Sequence, residues 1–185
     1  MIAVWILLTV VVLGILWWIT TYNRLVRLRL MTGNAWSDID VQLKRRHDLI
    51  PNVVETVKGY AAHERTTFEK VVEARAAAMG ASTPAQRAEA ENILTGALKS
   101  LFALAENYPA LRASENFMNL QGQLSQIEEA IQNARRYYNA VVRDYNSLTQ
   151  YFPSSIVANT GGFRPAEYFQ LPSEAEREAP KVQFS

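Results

Sequence analysis

Apolar residues fall first into one unbroken block and then into a series of periodic stripes. The block is residues 1–21, MIAVWILLTVVVLGILWWITT, and it carries no charged side chain. As a helix rising about 1.5 Å per residue it reaches roughly 31 Å, the thickness of a bilayer's hydrocarbon core. Trp5 lies near one end, and Trp17, Trp18 and Tyr22 near the other, where amphipathic rings suit the two membrane interfaces. A cleaved signal peptide is the competing reading. It requires a basic leader, a shorter apolar run and a small-residue cleavage site, and the block has none of these. The block therefore predicts a transmembrane anchor.

Beyond Tyr22 the apolar positions recur every three or four residues, the spacing of helices buried on one face. Leu25, Thr32, Trp36, Ile39 and Leu43 continue the first helix out of the membrane. At Pro51 the pattern favours a turn, because a mid-helix proline loses a hydrogen bond and clashes with the preceding turn. A kink within one very long helix is the alternative, since the apolar phase runs on through Pro51. A second helix is expected from about Pro51 to Met79, with Val54, Val57, Ala61, Glu64, Phe68, Val71, Arg75 and Ala78 on its stripe. Gly80, Ser82 and Pro84 separate it from a third, on which Glu91, Leu94, Leu98, Leu101, Ala105 and Tyr108 align. The fourth has the longest seam, from Phe117 through Leu120, Leu124, Ile127, Ile131, Ala134, Tyr138, Val141, Tyr145 and Leu148 to Phe152. Such apolar a and d positions specify a bundle helix or a coiled coil. No segment alternates as a strand does.

These elements predict an all-α chain in three parts: an anchor over 1–21, an up-down antiparallel four-helix bundle over 22–152, and a Pro-rich extended tail over 153–185. Phe163, Tyr168, Phe169 and Leu171 in the tail are candidates to dock onto the bundle. The fourth helix is the longest, so its last turns are expected to expose Val141, Tyr145, Leu148 and Phe152 as an apolar patch for contact with a second copy.

Charge sets the expected orientation. No Lys or Arg precedes the block, whereas Arg24, Arg27 and Arg29 follow it at once. The positive-inside rule then places the N-terminus outside and the rest of the chain in the cytoplasm. The net charge of +1 excludes a strongly basic nucleic-acid-binding domain. With no cysteine and two histidines, His47 and His63, the chain has few groups for hydrolytic or metal chemistry. Neither histidine has the Glu-x-x-His or zincin spacing. No catalytic residue, metal site or cofactor is expected. Arg46, Glu64, Arg75 and Arg135 fall on or beside apolar stripes. They read as buried ion pairs that fix helix register, or alternatively as inter-subunit or lipid contacts.

Several words of the sequence resemble the LemA family of bacterial membrane proteins. They are Tyr22-Asn23-x-Leu25-Val26, Asn34-x-Trp36, and Val41-Gln42-Leu43-Lys44-Arg45-Arg46-x-Asp48-Leu49-Ile50-Pro51-Asn52. Val57-Lys58-Gly59-Tyr60, His63-Glu64, Glu73-Ala74-Arg75 and Glu106-x-Tyr108-Pro109-x-Leu111 continue the likeness, as do Ala134-Arg135-x-x-Tyr138-Asn139 and Phe152-Pro153. The resemblance spans about residues 20–170. It implies a single-pass protein of the bacterial cytoplasmic membrane, with its helical bulk in the cytoplasm and no established activity. A magnetosome-associated branch of the family points toward membrane organisation, and members encoded near membrane-bound metalloproteases hint at a protein partner. Together these readings predict a non-enzymatic scaffold that self-associates on the membrane, with lipids and further copies of itself as partners. An adaptor or regulator of another membrane protein is the alternative.

Overall fold

The computed structural model describes residues 1–169. It contains α1 (Ile2–Lys58), α2 (Arg65–Gly80), α3 (Pro84–Ala105), α4 (Pro109–Arg112), α5 (Glu115–Gln150) and α6 (Ser154–Thr160), with no strand among the described residues. Two compact units result. One comprises residues 1–44 and 127–168; the other comprises residues 45–126 together with Phe169.

In the second unit the expected turn at Pro51 is absent. Helix α1 runs straight through Pro51 to Lys58. The reason is in its neighbours: Ile50, Val53, Val54 and Val57 are all buried while Pro51 itself is exposed. An interior proline costs about 3 kcal/mol. Burying each of those side chains contributes about 1.5–3 kcal/mol, so keeping all four in phase outweighs the lost bond. The reversal comes instead at Gly59-Tyr60, where Tyr60 N–H donates to Val57 O at 3.0 Å and Ala61 N–H donates to the same oxygen at 2.9 Å. The helix expected over Pro51–Met79 is therefore two pieces, the end of α1 and α2. Their stripe stays in phase across the break, because Val57, Ala61 and Phe68 all enter one core.

That core gathers Val53 and Val57 of α1, Phe68 and Val71 of α2, Leu94 and Leu101 of α3, Leu111 of α4, and Phe117 and Leu124 of α5. Helix α3 opens with a capping box. Gln86 N–H donates to Thr83 Oγ1 at 3.2 Å, and the Gln86 side chain accepts from Thr83 N–H, with Pro84 in the first turn. It ends at Ala105, short of the expected Tyr108, which instead precedes α4.

In the first unit the tail departs from the extended arm expected after Pro153. Residues 154–160 form α6, which ends in a Schellman motif. Phe163 N–H donates to Ala158 O at 2.9 Å, Gly162 N–H donates to Asn159 O at 3.3 Å, and Gly162 takes a φ of +69°. Gly161 is required for a different reason: a Cβ there would lie 2.6 Å from the Phe163 ring and 3.2 Å from the Tyr22 ring. The motif delivers Phe163 into a cluster with Leu25, Tyr145, Val157 and Ala158. Leu171, expected to dock, lies outside the described residues, as does the rest of the chain beyond Phe169.

Candidate functional site

The second unit buries a charged cluster. Arg46 and His47 are adjacent on α1, and Glu91 sits on the apolar stripe of α3; all three are less than a tenth exposed. Arg46 Nη1 donates to Glu91 Oε2 at 3.1 Å, and His47 Nε2 meets Glu91 Oε1 at 2.7 Å. Arg46 Nη2 also donates to Thr95 Oγ1 at 2.7 Å, and Thr95 in turn donates to Glu91 O at 2.9 Å. Arg75 of α2 donates from Nε to the His47 carbonyl at 2.8 Å. One carboxylate thus answers a guanidinium and an imidazole while α1, α2 and α3 are held to one another. The arrangement sets a histidine beside a carboxylate, and the hydroxyl within it, Thr95, is taken up by Arg46 and the Glu91 carbonyl. Among the described residues no three His, Asp or Glu side chains gather at metal-binding separation.

The structure brings Arg46 and Arg75 of the four stripe charges into this cluster. Glu64 is elsewhere and accepts from the Tyr108 hydroxyl at 3.4 Å; half-buried Arg135 donates from Nη1 to Gln132 Oε1 at 3.3 Å on its own helix. Sequence reasoning missed His47 as a member and left Arg46 without a named partner. The available signal was Glu91, a carboxylate on an otherwise apolar stripe.

Two buried polar side chains of the first unit, Tyr138 and Asn146, bond to backbone. The Asn146 side chain donates from Nδ2 to Ala166 O at 2.9 Å and accepts from Ala166 N–H at 2.8 Å. Tyr138 donates to Glu167 O at 2.8 Å and packs edge-on against Trp36, ring centroids 5.4 Å apart. Burial, with the Glu167 carboxylate second, holds the Tyr138 phenol above its usual range. Burial also raises Tyr145, against an opposing effect of Arg29.

These contacts correct the expected patch. Val141 and Tyr145 are buried, Leu148 is half-buried, and only Phe152, 82 % exposed, stands free beside Tyr151. The chain's own α6 and Phe163 occupy the surface on which Tyr145 was expected to receive a second copy. Trp5, Trp17, Trp18 and Tyr22 are all exposed, as are Arg24, Arg27 and Arg29. The apolar 18-residue window near the start of α1 has no buried residue, although it is long and apolar enough to cross a bilayer.

A wholly exposed apolar helix leading into closed helical cores defines a membrane-associated helical protein. The LemA family profile matches residues 35–184, and the chain belongs to that family. It is similar to magnetosome protein MamQ 2 of Paramagnetospirillum magneticum, with 26 % identity covering 89 % of this chain and 71 % of the relative. Magnetosome protein MamQ of Magnetospirillum gryphiswaldense is 24 % identical over 88 % of this chain and 71 % of its own length. Protein LemA of Metamycoplasma hominis is 28 % identical over 84 % of this chain and 71 % of its own. Neither the family's description nor these names carries a catalytic activity.

Proposed function

We propose that this protein is a non-enzymatic, membrane-anchored scaffold that self-associates at the cytoplasmic membrane. The observation that supports it is the unburied apolar window of α1 joined, without interruption, to helices whose charged residues serve packing. The window needs lipid or neighbouring anchors around it, because about 0.025 kcal/mol is lost for each Å² of apolar surface left in water. Confinement to one bilayer raises effective concentration, so weak lateral contacts suffice for assembly. With Val141 and Tyr145 occupied internally, the contact surface narrows to the exposed Tyr151, Phe152 and Ile156 and the anchor itself. The relatives named as magnetosome proteins favour a role in membrane organisation for this chain as well. The arrangement proposed for α1, α2, α3 and α5 is an up-down four-helix bundle on the cytoplasmic side, as Arg24, Arg27 and Arg29 favour.

Particle mass after extraction from native membranes tests this reading. A large homogeneous homo-oligomer, reduced by Phe152→Glu without loss of helicity, is the expected result. A monomer at all lipid ratios that retains a second membrane protein would replace the scaffold with the adaptor. A C-terminal reporter that behaves as periplasmic would overturn the orientation.

A further inference from the structure

A second polar feature lies where the anchor leaves the apolar zone. Trp17, Thr21 and Arg24 recur on one face of α1 and line a cavity of about 370 Å³ with Leu148 of α5 and Ser154 of α6. Its lining mixes apolar Trp17, Leu148 and Pro153 with hydroxyls and the Arg24 guanidinium, and no carboxylate is among them.

Hydroxyls within α1 ordinarily donate back to a carbonyl one turn earlier: Thr9 to Trp5 O, Thr20 to Trp17 O and Thr32 to Leu28 O, at 2.8–2.9 Å. Ser154, on the far wall, likewise donates to Tyr151 O at 2.8 Å. Thr21 is the exception. It is only 8 % exposed, faces the cavity, and makes no such bond among the described residues. Arg24, one turn on, has no ion pair among them either. The Thr21 hydroxyl opens into the cavity, so it can take a partner from outside the chain. The donors that face the cavity are thus the Thr21 hydroxyl and the Arg24 N–H groups, a pair that suits an acceptor-rich anion. Arg24 lies two turns, about 10 Å, beyond Trp17, which places the donors in the headgroup layer when Trp17 sits at the edge of the hydrocarbon.

The geometry points to a binding site for the phosphate of an anionic phospholipid, held by Thr21 and Arg24 with its acyl chains against Trp17 and Leu148. The site rests on the membrane reading of α1 and is independent of self-association. It gives the protein a lipid preference beyond simple anchoring.

The test uses the full chain in detergent, with bound lipid counted by native mass spectrometry. Phosphatidylglycerol should be retained in preference to phosphatidylcholine, and Arg24→Gln should weaken that retention about tenfold, the loss of one charged hydrogen-bonding group. Thr21→Val, nearly isosteric, should weaken it several-fold. Arg27→Gln, which removes an equal charge outside the cavity, should leave retention within about twofold. Equal losses for Arg24→Gln and Arg27→Gln would reduce the effect to general surface charge and overturn the site. Equal retention of both lipids would overturn it too. Displacement of phosphatidylglycerol by inorganic phosphate at similar concentration would reassign the cavity to a free anion. Flotation with vesicles separates the two readings: protein that floats but shows no lipid preference sinks only this site, whereas protein that stays at the bottom sinks the anchor and the site together.

Discussion

In the second unit a buried carboxylate meets both a guanidinium and an imidazole; in the first, a buried amide and a buried phenol bond to backbone. The two solutions fail differently. A buried charge that loses its partner keeps its full desolvation penalty, whereas a neutral amide that loses one leaves a smaller debt. The charged cluster joins α1 to α3 at the Glu91 carboxylate and α2 to α1 at the His47 carbonyl, while the neutral bonds tie residues 166–167 to α5. One chain thus uses specific charged chemistry where helices pair, and backbone recognition where a short strap is held down.

The largest expected effect comes from Glu91→Ala. It strands Arg46 and His47 in a space where both are nearly inaccessible, and should cost about 3–5 kcal/mol. Denaturant midpoints of the full chain, followed by helical circular dichroism, measure it. Replacing both charges at once, Arg46→Met with Glu91→Leu, should cost less than the single change, because it leaves no uncompensated ion pair. If the double change is the more damaging, the cluster's hydrogen bonds, and not its charges, hold the three helices.

The neutral side of the comparison is probed by Asn146→Ala. It removes one bond donated to Ala166 O and one accepted from Ala166 N–H, at an expected cost of about 1–3 kcal/mol. Protease cleavage near residues 161–168 should accelerate before helicity is lost, since the strap is released first. Uniform unfolding would show that the strap and the first unit are one cooperative body. A smaller change of the same kind is Gly162→Ala, where φ is +69° and a Cβ meets no atom within 4 Å. The cost, about 1–2 kcal/mol, is then conformational alone.

Periodicity made much of this legible and also set its limits. The seam of α5 was readable because each apolar step is three or four residues; its observed bounds, Glu115–Gln150, follow that pattern. Pro51 misled because local proline chemistry competes with burial, and burial won at Ile50, Val53, Val54 and Val57. Gly59 marks a reversal that the stripe hides, since both sides of the break feed the same core. The strap was hidden for another reason. Composition after Pro153 reads as irregular, yet Gly161-Gly162 following Ile-Val-Ala-Asn-Thr is a helix C-cap signature, and it is the cap that aims Phe163. In the charged cluster Arg46 and Glu91 each stood out on a stripe, but a pair 45 residues apart leaves no spacing signal, and packing alone joins them.

The smallest expected effect, and the one that separates the units by pH, rests on Tyr138 and Tyr145. Both phenols are raised above the ordinary value of 10.0, chiefly because burial disfavours the phenolate. A group whose folded-state pKa is raised binds its proton more tightly when folded. Its contribution is therefore complete below pH 10 and declines as pH rises through the folded value. The first unit, which holds both phenols, should lose stability in alkali. Tyr138→Phe removes the bond to Glu167 O and should cost about 1 kcal/mol at neutral pH. The same change should flatten the alkaline decline, so the variant loses less than the parent between about pH 9 and about pH 11. The Trp36 ring, edge-on to Tyr138, should report the event by altered near-ultraviolet circular dichroism before helicity falls. If parent and variant decline in parallel, Tyr138 is already solvated in the folded chain, and the neutral bonds of the first unit are weaker than their geometry implies.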